Sequence, residues 1–427
     1  MMFVEQEQTC RHLLINDCFD DLNRMFRLLL RLPQLTGVSR MADAVAKLVT
    51  ELGLERVDQQ IKLQNPAPSG SGSSSSSSAA TAPAAGKKSA EKEASPDDPV
   101  YVKDIIALHD RFSDLITAQF QSHNTFQKAL RDAFAVIMNR DVGKFKAADL
   151  LSSYSDRLLR VGGASAASGS SAGLSEAEIE VQLDKIVLLF SYTQDKDIFS
   201  EIYRNQLAKR LLNSKSASDE MERVMIGKLK LKCGTQFTSK MEGMLNDLSV
   251  GADHQAQFDA HCSATGVLGK IEMQVNVLTN GNWPTFKVFD SIFLPPIMLK
   301  CVKSFQEYYE EKTSHRRLSW QYAHGQVFLR ACFGGGKNVY EIQVTTLQAA
   351  VLLYFASGLE KLMSMEDIQK MTNIPDEVLK RLLHSLACGK FRILKRSSGA
   401  DAAAAGDEKA NKGIKPTDLF AFNDSFT

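Results

Sequence analysis

Through about the first 250 positions apolar residues recur at three- and four-residue spacing, and after about residue 255 the spacing changes to two. That change of period constrains the chain more than any motif in it. Helices packed on helices come first, and a half-buried sheet follows. Phe19, Leu22, Met25, Phe26 and Leu29 mark one amphipathic helix. Val102, Ile105, Ile106, Leu108 and Phe112 begin a second, and Phe126, Leu130, Phe134 and Ile137 a third. Ile179, Leu183, Ile186, Val187 and Phe190 predict another. Phe199, Ile202, Tyr203, Leu207 and Leu211 predict one that ends at Asn213-Ser214. Ser216 or Ser218 is expected to cap the next helix, with Asp219 and Glu220 at its positive end and Met221, Val224, Met225 and Leu229 as its buried stripe. Several such helices with modest loops make a bundle.

Beyond the change of period, Ile271, Met273, Val275 and Val277 alternate with Glu272, Gln274 and Asn276, which predicts a strand over 269–279. Leu318, Trp320 and Tyr322 alternate likewise. A His324-Gly325 turn leads to Val327, Leu329, Ala331 and Phe333, and a Gly334-Gly335-Gly336-Lys337 turn to Tyr340, Ile342 and Val344. A four-stranded antiparallel sheet is expected, with a helix near Pro296–Tyr309. From Thr345 helices are predicted at 345–356, 365–371 and 376–388, then strands at 391–396 and 418–423, which is the winged-helix pattern. The expected fold class is mainly α with an α+β part: helical bundle, small antiparallel α/β sheet domain, winged-helix domain. Stretches 64–99, 161–173 and 397–413 are rich in Ser, Gly and Ala and have little to bury, so they are expected to be disordered. The boundaries drawn are 1–63, a linker at 64–99, the bundle at 100–254, the sheet domain at 255–344 and the winged helix at 345–427.

Composition narrows the function. A net charge of +1 supplies no global field for nucleic acid or membrane, so any electrostatic role is local. Seven scattered cysteines without a CxxC pair argue against a disulfide framework or a zinc module, and no metal or cofactor is expected. The longest apolar runs are too short to span a membrane, so a soluble chain of the cytoplasm or nucleus is expected. Gly334-Gly335-Gly336-Lys337 lacks phosphate-loop spacing and sits between strands, which suits a hairpin turn. His261-Cys262 stands in no nucleophile motif, and no catalytic residue is assigned. The would-be recognition helix carries only Lys380, Arg381 and His384, weak support for DNA binding. Sheet edges are either covered by the helix near 297–309 or accept a partner strand. Residues 201–240 hold nine basic groups against four acidic ones, a solvated face or a dock for an acidic partner.

Long stretches resemble one family in the right order: DKDIFSEIYRNQLAKRLLNSKSASDEMERVMIGKLKLKCGTQFTSKMEGMLNDLSV at 195–250, LTNGNWPTF at 278–286, RRLSWQYAHGQVFLRACF at 316–333, LQAAVLLYF at 347–355, SLACGKFRIL at 385–394 and DLFAFNDSF at 418–426. They resemble the homology region of cullins, and a helical match at 108–140 and residues 19–57 extend the likeness upstream. The resemblance implies a non-catalytic scaffold of a multisubunit ubiquitin ligase. A small RING-finger protein, which holds its own zinc, adds a strand to the α/β domain and recruits a ubiquitin-conjugating enzyme. The contact region is carried over to Met273, Val275, Val277, Trp320, Tyr322, Val327 and Leu329. Lys209, Arg210 and Lys215 match a lysine-rich canyon for the acidic tail of that enzyme. Only a remnant of the family's N-terminal repeats precedes the linker, which puts loading of a substrate adaptor in doubt. The chain stops just after Asp424-Ser425-Phe426, before the family's last winged helix, so no lysine is assigned as modifier acceptor. A winged-helix DNA-binding protein, or a truncated decoy that sequesters RING partners, remains the alternative.

Overall fold

The computed structural model describes residues 2–31, 37–64, 100–160, 174–289, 291–334, 336, 338–356, 362–397, 414–424 and 426. The stretches expected as linker and insertions lie outside the described residues, apart from Gln64 and Ser397. By internal contacts the chain separates into two units, Met1–Leu245 with Gly281–Trp283, and Asn246–Asn280 with Pro284–Thr427.

The first unit is helical. α1 (Met2–Ile15), α2 (Phe19–Leu30) and α3 (Gly37–Gln64) precede α4 (Val100–Phe120), α5 (Asn124–Met138) and α6 (Ala147–Leu159). α7 (Glu176–Ser191), α8 (Lys196–Leu212), α9 (Asp219–Cys233) and the start of α10 (Thr235–Thr265) follow. The apolar stripes bury as their spacing requires: Phe26, Phe126, Phe134, Leu183, Phe190, Phe199 and Tyr203 are all essentially inaccessible. Each such side chain contributes roughly 1.5–3 kcal/mol of burial free energy. Two aromatic groups knit the stripes together. Phe120 stacks on Phe126 at 4.1 Å with Phe26 edge-on to both, and Phe199 lies between Phe190 and Tyr203. α3 and α5 approach closely at Gly53, where any Cβ would collide with the Ile137 side chain. The start of α7 is set by a capping box. Ser175 Oγ accepts from the Glu178 amide at 3.3 Å, and Glu178 accepts the Ser175 amide at 2.8 Å. Ser218 stands at the N-cap of α9 as expected but makes no side-chain cap bond.

In the second unit α10 continues to Thr265 and packs against α11 (Pro296–Lys312) through Phe258, Phe305, Tyr308 and Tyr309. The hairpin β1 (Gln326–Phe333) and β2 (Asn338–Thr345) pairs Leu329 with Ile342 and Phe333 with Asn338. Gly334 and Gly336 in its turn take φ of 63° and 92°, a region costly for any side chain. The expected four-stranded sheet is not formed. Among the described residues β1 and β2 make a two-stranded sheet, while 271–279 and 318–321 are extended and join none, and Tyr322 lies in a turn. Two-residue alternation reports a half-buried extended chain, and it does not report a hydrogen-bonding neighbour.

α12 (Thr346–Ala356) is buried on nearly every side and centres the last part of the unit. Around it lie β3 (Leu362–Ser364), α13 (Met365–Thr372), α14 (Asp376–Cys388), β4 (Leu394–Ser397) and β5 (Leu419–Phe422). The sheet order is β3-β5-β4, so the two expected strands pair, joined by a third that is too short to show a period. β4 begins at Leu394, later than expected, and leaves Phe391 exposed. The end of β5 and the residues after it lie over the hairpin tip. Phe333 stacks on Phe422 and packs on Phe426, both at 4.9 Å, and the Gly334 amide donates to Asp424.

Candidate functional site

The first candidate lies where the two unpaired extended segments cross the aromatic layer of α10 and α11. Met273, Val275 and Val277 turn inward, half-buried against Phe258, Phe305, Tyr308 and Tyr309, and Leu318 and Trp320 pack on the same cluster. Trp320 meets Phe305 edge-on at 5.9 Å. Tyr322, Val327 and Leu329 lie elsewhere, against the core around Phe333 and Val344. The seven apolar residues singled out in the sequence therefore form two groups: four over the α10–α11 layer, and three, two of them on β1, against the core around Phe333 and Val344. The indole Nε1 of Trp320 and the Oε1 of Gln321 are covered and find no hydrogen-bond partner among the described residues. Buried polar atoms left in this way are uncommon in finished structures.

Sequence reasoning missed Gln255 and Asp247, two polar side chains of α10 that reach the first segment. Gln255 Nε2 donates to the Met273 carbonyl at 2.8 Å, and Gln255 Oε1 accepts the Val275 amide at 2.8 Å. Asp247 accepts both the amide and the hydroxyl of Thr279 at 2.8 Å. No motif marks them; only their placement eight residues apart on one helix hints at a shared face.

The second candidate is the basic loop between α8 and α9. Lys209 and Lys215 are exposed, but Arg210 is not part of any surface patch and must be removed from the predicted trio. Its side chain is 1% exposed. Nε and Nη2 form a bidentate pair with Glu222 at 2.7 and 2.8 Å, and Nη1 donates to Asp156 at 2.5 Å. Ser216 and Tyr203 hydroxyls complete the coordination of Glu222, and the guanidinium lies over the Tyr203 ring. Burial opposes the charge, yet the Glu222 bonds and the Asp156 carboxylate outweigh it and raise the Arg210 pKa. Burial, with Glu222 nearby, likewise raises that of Tyr203. The knot pins the loop, whose backbone is bonded from Lys215 to Arg210 and from Ala217 to Leu159, both at 2.8 Å. Within the same basic run Lys228 is paired with Asp184 and Glu180, and Lys230 with Glu242. The local excess of charge is smaller at the surface than in the sequence.

The other candidates weaken on inspection. Lys380 and Arg381 on α14 each face an acid one turn back, Asp376 at 2.6 Å and Glu377 at 3.7 Å, which offsets the charge a phosphate backbone would need. Burial, with Asp259 adding, pushes the Cys262 thiol up, opposite to what a nucleophile requires. No helix among the described residues is long and apolar enough to cross a membrane.

Residues 1–255 match the family model of the cullin alpha solenoid domain, and 277–426 that of the cullin alpha+beta domain. Cullin-1 of Oryza sativa subsp. japonica is 41% identical over 427 residues, covering 99% of this chain and 51% of the rice protein. Cullin-2 of Arabidopsis thaliana is 38% identical over 427 residues, covering 99% and 52%. Cullin-4A of Homo sapiens is 36% identical over 325 residues, covering 76% and 39%. The chain spans about half the length of the first two relatives and less of the third.

Proposed function

The chain belongs to the cullin family, and from that premise we propose that it is a non-catalytic scaffold of a cullin–RING type ubiquitin ligase. Its second unit would take up a strand from a RING-finger protein, and that protein would position a ubiquitin-conjugating enzyme. The observation that carries this is the pair of extended segments, 271–279 and 318–321, each with apolar side chains packed and neither in a sheet. An incoming strand supplies the missing backbone partners, and the half-buried Met273, Val275, Val277 and Trp320 give its alternate side chains a floor. Lys209 and Lys215, presented by a pinned loop, suit the acidic tail of the conjugating enzyme.

The first test is co-purification of this chain with a recombinant small RING-finger protein. A stoichiometric complex is expected, and a well-folded chain that binds none of the small RING-finger proteins tried would remove the proposal. The second is charge reversal, Lys209→Glu with Lys215→Glu, in a reconstituted ligation assay. Chain formation should slow at low ionic strength and recover less of a difference at high, because exposed charges are screened within about 8–10 Å at physiological salt. Equal rates at every salt concentration would exclude the two lysines. A complex that binds RING protein without supporting ligation would identify a decoy instead.

A further inference from the structure

Along an extended chain the N–H and C=O groups of alternate residues point to opposite edges. In 271–279 three groups of one edge end on side chains of α10. The Met273 carbonyl and the Val275 amide meet the two ends of the Gln255 amide, and the Thr279 amide meets Asp247. Gln255 is itself steadied by a bond from Nε2 to Asp259 at 2.7 Å. The spacing fits an antiparallel alignment of helix and segment. From Gln255 back to Asp247 the helix descends about 12 Å, and from Val275 to Thr279 an extended chain advances about 13 Å. The helix thus stands in for a neighbouring strand along that edge, through a carboxamide that both donates and accepts as a peptide group does.

We infer that Gln255 and Asp247 decide which edge of 271–279 accepts a partner strand, and therefore its register. The occupied edge is that of Met273, Val275 and Thr279. The open edge carries the backbone groups of Gln274 and Asn276, whose side chains are exposed while those of 273, 275 and 277 are half-buried. The strand it takes is an extended peptide with apolar residues on the face toward Phe305 and Tyr308, and no proline where it must donate to Gln274 or Asn276. This assignment rests on the strand-addition reading, but its first consequence belongs to the free chain and is measured there.

Residue-resolved amide hydrogen exchange tests it. In the free chain the Val275 and Thr279 amides are protected, while Gln274 and Asn276 exchange fast. On binding a recombinant small RING-finger protein, Gln274 and Asn276 slow by at least about tenfold and Val275 keeps the protection it already had. Gln255→Leu abolishes the Val275 protection in the free chain. Gln255→Glu keeps an acceptor for the Val275 amide but sets a carboxylate against the Met273 carbonyl, and leaves partial protection. Val275 exchanging as fast as Gln274 in the free chain would overturn the inference, and so would new protection on binding that appears at Val275 and Thr279. Failure of the complex to form would instead refute strand addition, with the edge assignment still decided by the free-chain pattern.

Discussion

Replacing Arg210 by methionine keeps most of the buried volume but strips Glu222 of the one cation paired with it among the described residues. Glu222 is 0% exposed, so the charge left behind cannot be hydrated in place. Removing one partner of a buried ion pair costs about 3–5 kcal/mol, because the survivor stays desolvated and unpaired. Asp156 suffers less, since Arg160 still reaches it at 2.5 Å from a half-exposed position. The loss therefore falls mainly on Glu222. With a urea m-value of about 2 kcal/mol/M, the unfolding midpoint of the first unit should drop by roughly 1.5–2.5 M. Trp283 belongs to that unit and reports it by fluorescence once Trp320 is changed to Phe. The pair Arg210→Met with Glu222→Leu removes both charges, and should regain at least about 2 kcal/mol relative to the sum of the single changes. An Arg210→Met midpoint within about 0.5 M of the parent would refute the reasoning, and so would strictly additive single and double effects.

Burial lowers the His109 pKa below 6.5, with Lys185 adding and Asp110 opposing. The unfolded chain takes up that proton more readily than the folded one. The contribution to stability is therefore whole above about pH 6.5 and lost as pH falls through the lowered pKa. His109→Phe should flatten that acid limb in urea titrations at pH 5 and 7.5, and an unchanged slope would exclude His109 as its source. Gly53→Val should destabilise the first unit by about 1–3 kcal/mol through overpacking, and Ile137→Ala in the same chain should relieve part of it; thermal unfolding reads both. Ser175→Ala should cost about 1 kcal/mol at the start of α7 by losing its cap, measured in the same way. Phe426→Ala should raise amide exchange at Gly334 and Asn338 without altering α7, since Phe426 packs on Phe333 beside that turn.

The helical part of the fold was legible because burial there follows a local period. Phe199, Tyr203 and Leu207 sit four residues apart and are fully buried. The sheet was legible only in part. Val327, Leu329 and Val344 do lie in paired strands, but Met273, Val275 and Val277 show the same alternation without a strand beside them. Alternation records which side chains are covered; the fate of the backbone depends on Gln255 and Asp247, distant residues with no pattern of their own. Arg210 misled for a related reason. A charge in a basic run reads as surface, and its burial is decided by Asp156 and Glu222, which approach only when α6, α8 and α9 pack. β3 was invisible, since three residues cannot display a period of two.

The fold-back at the hairpin tip has a consequence in time. Gly334 is bonded to Asp424, 90 positions later. A ribosome adding about 5–20 residues per second needs roughly 5–20 s to cover that interval. Throughout it Phe333 has neither Phe422 nor Phe426 to stack upon, and the hairpin's inner face awaits helices still being made. Such an edge is where nascent chains meet one another or a chaperone. Slowing synthesis between Gly336 and Asp418 would lengthen the exposure without altering a single contact of the finished protein, so the yield of folded chain should depend on the pace at which that stretch is translated.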